Sequence, residues 1–182
     1  MITPTEFASQ WGADQLLRYE PAALEGVHIP DASKRFLIEA GLPRQASLEL
    51  EFDLSADELP TLPEALEEES LSAEFNRYRP IGVDTATTIC LDEQDNGHIY
   101  AVDIDGTIPT RFMNSSVPQL AEFLLVFRSG AGITLPELAS EENLEASAHA
   151  LEEQFRRIDP AVFGDEDNWW PLIVMQRRDG ML

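Results

Sequence analysis

The chain has 182 residues but a single lysine, Lys34, and a single cysteine, Cys90. One cysteine excludes an internal disulfide. Its place in the apolar run Thr87-Thr-Ile-Cys-Leu91, with no histidine or arginine beside it, marks it as a small buried hydrophobe rather than a nucleophile. No run of about 18 apolar residues is present, so the pattern contains no membrane-spanning helix. The opening Met-Ile-Thr-Pro-Thr-Glu-Phe lacks a basic stretch followed by an apolar one, so a cytoplasmic, reducing setting is expected rather than secretion. The three histidines, His28, His98 and His149, lie in separate segments and share no metal-ligand spacing, and no glycine-rich phosphate loop is found. Neither a cofactor nor a metal is expected. The length suits one domain, 1–182, able to bury ~70% of its unfolded surface.

Positive charge is the scarcest commodity. Twelve lysines and arginines face 34 acids, a formal net charge of −22. Residues 45–76 hold acids and no base, and so do residues 129–155. Such a surface repels nucleic acid and anionic membrane and steers basic partners toward it.

What is present reads as an α+β protein. An opening helix over residues 3–20 is predicted from the cap signal at Thr3 or Thr5, the early Pro4, and Phe7, Trp11, Leu16 and Leu17 as its apolar positions. Asp31 or Ser33 is the expected cap of a second helix through Ala40, with Phe36 and Leu37 inward and Gly41 ending it. Ser47-Leu-Glu-Leu-Glu-Phe-Asp-Leu54 alternates with period two and predicts a half-exposed strand, with Leu48, Leu50 and Phe52 inward. Residues 55–76, with Pro60, Pro63 and Glu67-Glu-Glu69, predict a long mobile surface connection with one helical turn.

The centre of the chain is strand, turn, strand, turn, strand, helix. Thr87–Leu91 and His98–Asp103 flank the turn signal Asp95-Asn96-Gly97, and Asp105-Gly106 leads to a third strand at Arg111–Met113. Ser115 or Ser116 caps a helix with Pro118 in its first turn and Leu120, Phe123, Leu124 and Phe127 in one stripe. A linker at Ser129-Gly-Ala-Gly and a polar transition from Leu135 to Ser140 follow. A helix then runs to about Ile158, with Leu144, Ala148, Leu151 and Phe155 on one face, until Asp159-Pro160 breaks it. Trp169–Arg178 predicts a last amphipathic helix ended by Gly180. An antiparallel meander with helices packed around it is the simplest assembly.

This order of pieces resembles a known family. Ile81-Gly-Val-Asp84, Ile89-Cys-Leu-Asp92, Gly97-His-Ile-Tyr100 and Phe112-Met-Asn-Ser-Ser116, followed by a Leu/Phe-rich helix, resemble the core of the SUKH superfamily, closest to its fourth bacterial immunity subfamily. Ile29-Pro-Asp31 with Phe36-Leu37 and Gly41-Leu-Pro43 resembles that family's N-terminal element. Trp169-Trp-Pro-Leu172 with Asp179-Gly-Met-Leu182 resembles its closing helix. The resemblance covers most of residues 7–182. It implies an antitoxin-like, non-enzymatic binding protein whose partner is a cognate toxin domain, among them basic nucleases and nucleic-acid deaminases. A general protein-interaction scaffold is the alternative within the superfamily. It also implies that Gly82, Asp92, Gly97, Asn114 and Ser115 set the fold.

Two segments suggest other chemistry. Val102-Asp-Ile-Asp-Gly-Thr-Ile108 resembles the opening of haloacid-dehalogenase-like phosphatases, with Asp103 and Asp105 as nucleophile and general acid, and Gly164-Asp-Glu-Asp167 as closing acids. That chemistry needs a downstream cation, usually lysine, and no lysine follows Lys34. Asp92-Glu-Gln-Asp-Asn-Gly97 loosely resembles a calcium loop but joins two strands, so a hairpin turn is expected. The candidate partner surface is therefore acidic and aromatic. It comprises Glu64, Glu67, Glu68 and Glu69, then Asp92, Glu93 and Asp95, then Asp165, Glu166 and Asp167 with Trp169, where the pattern leaves open whether Trp169 or Trp170 is core or interface.

Overall fold

The computed structural model describes residues 1–46, 48, 50–68, 70–130 and 141–182. Helix α1 (Pro4–Trp11) begins in a capping box: the Thr3 hydroxyl accepts the Glu6 N–H at 3.3 Å, and the Glu6 carboxylate accepts the Thr3 N–H at 3.0 Å. The helix ends at Gly12, well short of the predicted residue 20. Leu16 and Leu17 form strand β1 (Leu16–Leu17) instead, paired after α2 (Asp31–Glu39) with β2 (Leu42–Pro43). Gly41 makes this pairing possible. Its φ is +77°, and a Cβ there would lie 1.9 Å from the Leu17 carbonyl oxygen. Neither expected side chain caps α2. Ser33 is buried, and its hydroxyl lies 3.5 Å from the Val117 N–H.

Residues 47 and 49 lie outside the description, and among the described residues the predicted strand over 47–54 reduces to two isolated bridges at Glu51, with Gln45 and with Val83. Leu48 has φ +67°, which breaks an extended run, and Glu51 alone exchanges hydrogen bonds with Val83 at 2.9 and 2.8 Å. Leu50 and Phe52 still point inward and are buried, whereas Leu48 is only partly so. The connection that follows contains α3 (Leu62–Ala65) and a 3-10 turn (Ala73–Arg77).

The sheet has one strand more than the sequence pattern predicts. Strands β3 (Tyr78–Val83), β4 (Thr88–Asp92), β5 (His98–Val102) and β6 (Arg111–Asn114) form an antiparallel meander in that order. Pro80 and Gly82 hide β3 from propensity, and the ladder shifts register between them. A Cβ on Gly82 would lie 2.6 Å from both the Glu51 carbonyl oxygen and the Phe52 ring, so glycine is what admits residues 51 and 52 against β3.

Strand alternation sends Ile81, Ile89, Leu91, Ile99, Ala101 and Met113 into the main core. Helix α4 (Val117–Gly130) brings Leu120, Phe123, Leu124 and Phe127 into the same core, as its stripe predicts. Ser116 caps it through the Gln119 N–H. The expected linker and polar transition over residues 131–140 lie outside the description. Helices α5 (Glu141–Ile158) and α6 (Trp169–Arg178) pack on each other, and α5 also packs on α4. Phe123 stacks on Phe155 at 4.0 Å, and Trp170 closes on both rings at 5.2 and 4.9 Å.

One buried carboxylate ties these parts together. Asp159, just past α5, accepts the Ser115 N–H at 2.7 Å, the Ser115 hydroxyl at 2.9 Å and the Asn114 amide at 3.5 Å. The Asn114 oxygen in turn accepts the Trp170 indole N–H at 3.0 Å. Ser115, expected as a cap, thus serves to bind α5 to the end of β6. Replacing Asp159 by Ala strands these donors in the interior and is predicted to lower unfolding free energy by about 3 kcal/mol. Ser115→Ala is predicted to lower it by about 1 kcal/mol. Urea unfolding of the two variants checks the order.

Candidate partner-binding surface

The face of the sheet away from the main core carries Tyr78, Cys90, Asp92, His98, Tyr100, Val102 and Phe112, by strand alternation and register. Cys90, Val102 and Leu62 of α3 make a small second core, with Phe75, Tyr78, Tyr100 and Ile104 packed partly buried against it. Burial pushes the Cys90 thiol far above its ordinary pKa, which suits the structural role expected of it. Helix α3 covers only part of this outer face. Across the rest runs a half-exposed aromatic row: Tyr78 to Tyr100 at 6.5 Å, Tyr100 to Phe112 at 5.6 Å, and His98 to Phe112 at 5.6 Å.

The β4–β5 turn borders this row. Asn96 and Gly97 take φ of +54° and +71°, and the Asp92 carbonyl accepts the Gly97 N–H at 2.8 Å. Asp92 and Glu93 are not free surface acids, contrary to the sequence expectation. Asp92 is 1% exposed: its carboxylate accepts the Gln94 and Asp95 N–H groups at 2.9 and 3.2 Å, and Arg77 Nε at 2.7 Å. Glu93 accepts the His28 N–H at 2.6 Å and Arg79 Nε at 2.9 Å. Both acids are consumed in tying the turn to β3 and to the segment before α2. Asp95 differs. Its carboxylate stays 41% exposed, accepts the Tyr100 hydroxyl at 2.5 Å and pairs with His98 Nδ1 at 3.1 Å.

The acidic loop lies on the same side, since Leu62 of α3 sits on Cys90 and Val102. Glu64 accepts the Thr61 N–H and hydroxyl at 2.8 and 2.7 Å, which holds its carboxyl below the usual range. Glu67 and Glu68 are exposed beside Leu66, itself 41% exposed, and Glu69 lies outside the described residues. The third candidate segment stands elsewhere, at the start of α6. Asp165, Glu166 and Asp167 are exposed, and the Asp167 carbonyl accepts Arg111 Nε at 3.1 Å. Trp170 is fully buried. Trp169 is 8% exposed with its indole N–H on Asp84 at 3.1 Å, so both tryptophans are packed inside. The edge of Trp169 lines a groove of about 390 Å³ with Arg111, Leu172 and Gln176.

The phosphatase-like segment is a loop clasp. Asp103 accepts the Ile108 N–H at 2.7 Å, the Thr107 hydroxyl and N–H at 2.8 Å each, and the Asp105 N–H at 3.0 Å. These donors depress its pKa, the Ile108 N–H most. Among the described residues no three acidic, histidine or cysteine side chains gather to hold a metal ion. No helix among them is long and apolar enough to cross a membrane.

The aromatic row is the part of this surface that the sequence expectation missed. Its signal was present: the outward positions of β5 and β6 are Tyr100 and Phe112, where a solvated strand face carries polar residues. A family model described as SUKH-4 immunity protein matches residues 2–176. Neither the curated proteins nor the solved structures contain a match to this chain.

The Tyr100 hydroxyl is the largest influence holding the Asp95 carboxyl below its ordinary pKa. A carboxyl depressed in the fold stabilises it above the unfolded pKa of about 3.9, and that contribution disappears as pH falls through the lower folded value. In Tyr100→Phe the donor is gone. The Asp95 titration followed by carboxyl NMR is predicted to move up toward the unfolded value, and its part of the acid-side loss of stability shrinks.

Proposed function

The chain belongs to the SUKH-4 immunity protein family, and we propose that it acts without catalysis, in the cytoplasm, by binding and neutralising a basic toxin domain that attacks nucleic acid, a nuclease or a deaminase. The observation that carries the choice of partner is the net charge of −22. A toxin that handles a polyanion presents cationic surface around its active site. An acidic protein complementary to that surface meets it quickly and competes with the substrate for the same groups. The hydrogen bonds that Asp103 accepts support a non-enzymatic reading over the phosphatase one, because the carboxylate that would attack phosphorus is engaged by its own loop.

Two measurements test this. Expression of the C-terminal domain of the protein encoded beside this chain is predicted to arrest growth, and co-expression of the chain to relieve it, with the two co-purifying. A toxic neighbour that the chain cannot relieve contradicts the proposal. Stopped-flow association of the purified pair is predicted to slow at least ~10-fold between about 0.05 and about 0.5 M salt. A rate indifferent to salt contradicts the electrostatic part.

A further inference from the structure

Two surfaces combine apolar side chains with acids, and the row of half-exposed rings on the outer sheet face distinguishes them. Around α6, the groove beside Trp169 includes Arg111, and the neighbouring one of about 280 Å³ between α5 and α6 includes Arg156 and Arg178 with Asp165 and Glu166. Arg156 pairs with Glu152, and Arg178 with Glu145 and Glu152, so those charges are answered locally. Beside the outer sheet face, Arg77 is likewise answered by Asp92. Around that face stand the exposed Glu64, Glu67, Glu68 and Glu74, with Asp95 and the Asp103–Asp105 loop nearby.

We infer that the outer sheet face is the toxin-docking surface, and that it receives a lysine- or arginine-bearing protrusion of a basic protein that stacks on Tyr100 and Phe112 and pairs with Asp95. This rests on the toxin-binding reading above. A cation over an aromatic ring gains ~0.5–2 kcal/mol, more as water is excluded, and the adjacent carboxylate adds a charge-assisted bond. The receptor is prearranged: the hydrogen bond from Tyr100 to Asp95 fixes ring and carboxylate together, so little rotamer freedom remains to be lost on binding. The size also fits. Four strands span about 14 Å between outer axes and five residues about 17 Å, giving ~240 Å² of sheet face, part of it under α3. That is a fitting centre for an interface of ~800 Å² per partner, with the 62–68 and 103–110 segments as its rim.

The test uses the full chain and, as probe, the purified C-terminal domain of the protein encoded beside it. Asp95→Lys reverses the charge of a half-exposed carboxylate, and Tyr100→Ala removes the ring. Met175→Lys, on the exposed side of α6, is the comparison. Circular dichroism and thermal unfolding establish that each variant is folded. The expected result is a Kd at least 10-fold weaker for Asp95→Lys and Tyr100→Ala, with Met175→Lys within about twofold of the parent. If the parent chain binds and both outer-face variants bind equally well, the surface assignment is overturned and the toxin-binding reading stands. If Tyr100→Ala does not fold, Asp95→Lys alone decides. A parent chain that neither binds nor rescues overturns both.

Discussion

A single buried carboxylate organises the helical side of this protein. Asp159 is 1% exposed, and among the described residues the donors that reach it are neutral N–H and O–H groups rather than a lysine or arginine. It stands where β6 ends, α4 begins and α5 finishes. Through Asn114 it also fixes the indole of Trp170, which the aromatic stack of Phe123 and Phe155 surrounds. An unmet donor at this depth is costly, so the junction has one arrangement that satisfies all its groups.

The outer face is governed by a second carboxylate used in a similar way. Asp92 holds the β4–β5 turn, and Arg77 covers its charge. Gly97 lets the turn lie on the segment before α2, since a Cβ there would meet Pro30 Cδ at 2.8 Å. With the turn fixed, Asp95 projects beside Tyr100 and stays partly wet. The fold thus spends two acids internally to present a third next to an aromatic ring. In a chain with so many carboxylates, position relative to exposed rings distinguishes one acid from another better than density along the sequence.

The parts legible in the sequence are those where neighbouring residues decide the outcome. Trp169–Arg178 forms the predicted helix, the Leu120–Phe127 stripe faces the core, and Asn96-Gly97 makes the predicted turn. The parts that were not legible depend on distant partners. Leu16 and Leu17 leave the helical pattern because β2 and Gly41 receive them. Strand β3 exists despite Pro80 and Gly82 because β4 supplies its ladder and residue 51 needs the space at Gly82. The same limit applies to the candidate surface. Asp92 and Glu93 read as surface acids because their cations lie 15 and 14 residues earlier, Arg77 at the end of the 3-10 turn and Arg79 on β3. The aromatic row escaped notice because Tyr78, Tyr100 and Phe112 are each isolated in the chain and meet only across the sheet.

The central claim is that a basic toxin covers the outer sheet face. Amide hydrogen exchange of the chain alone and in complex with the C-terminal domain encoded beside it reads this directly. Slowed exchange concentrated in residues 62–68, 93–98 and 103–110, with α6 unchanged, is the predicted result. Slowed exchange confined to residues 165–178, or spread evenly over the chain, contradicts it.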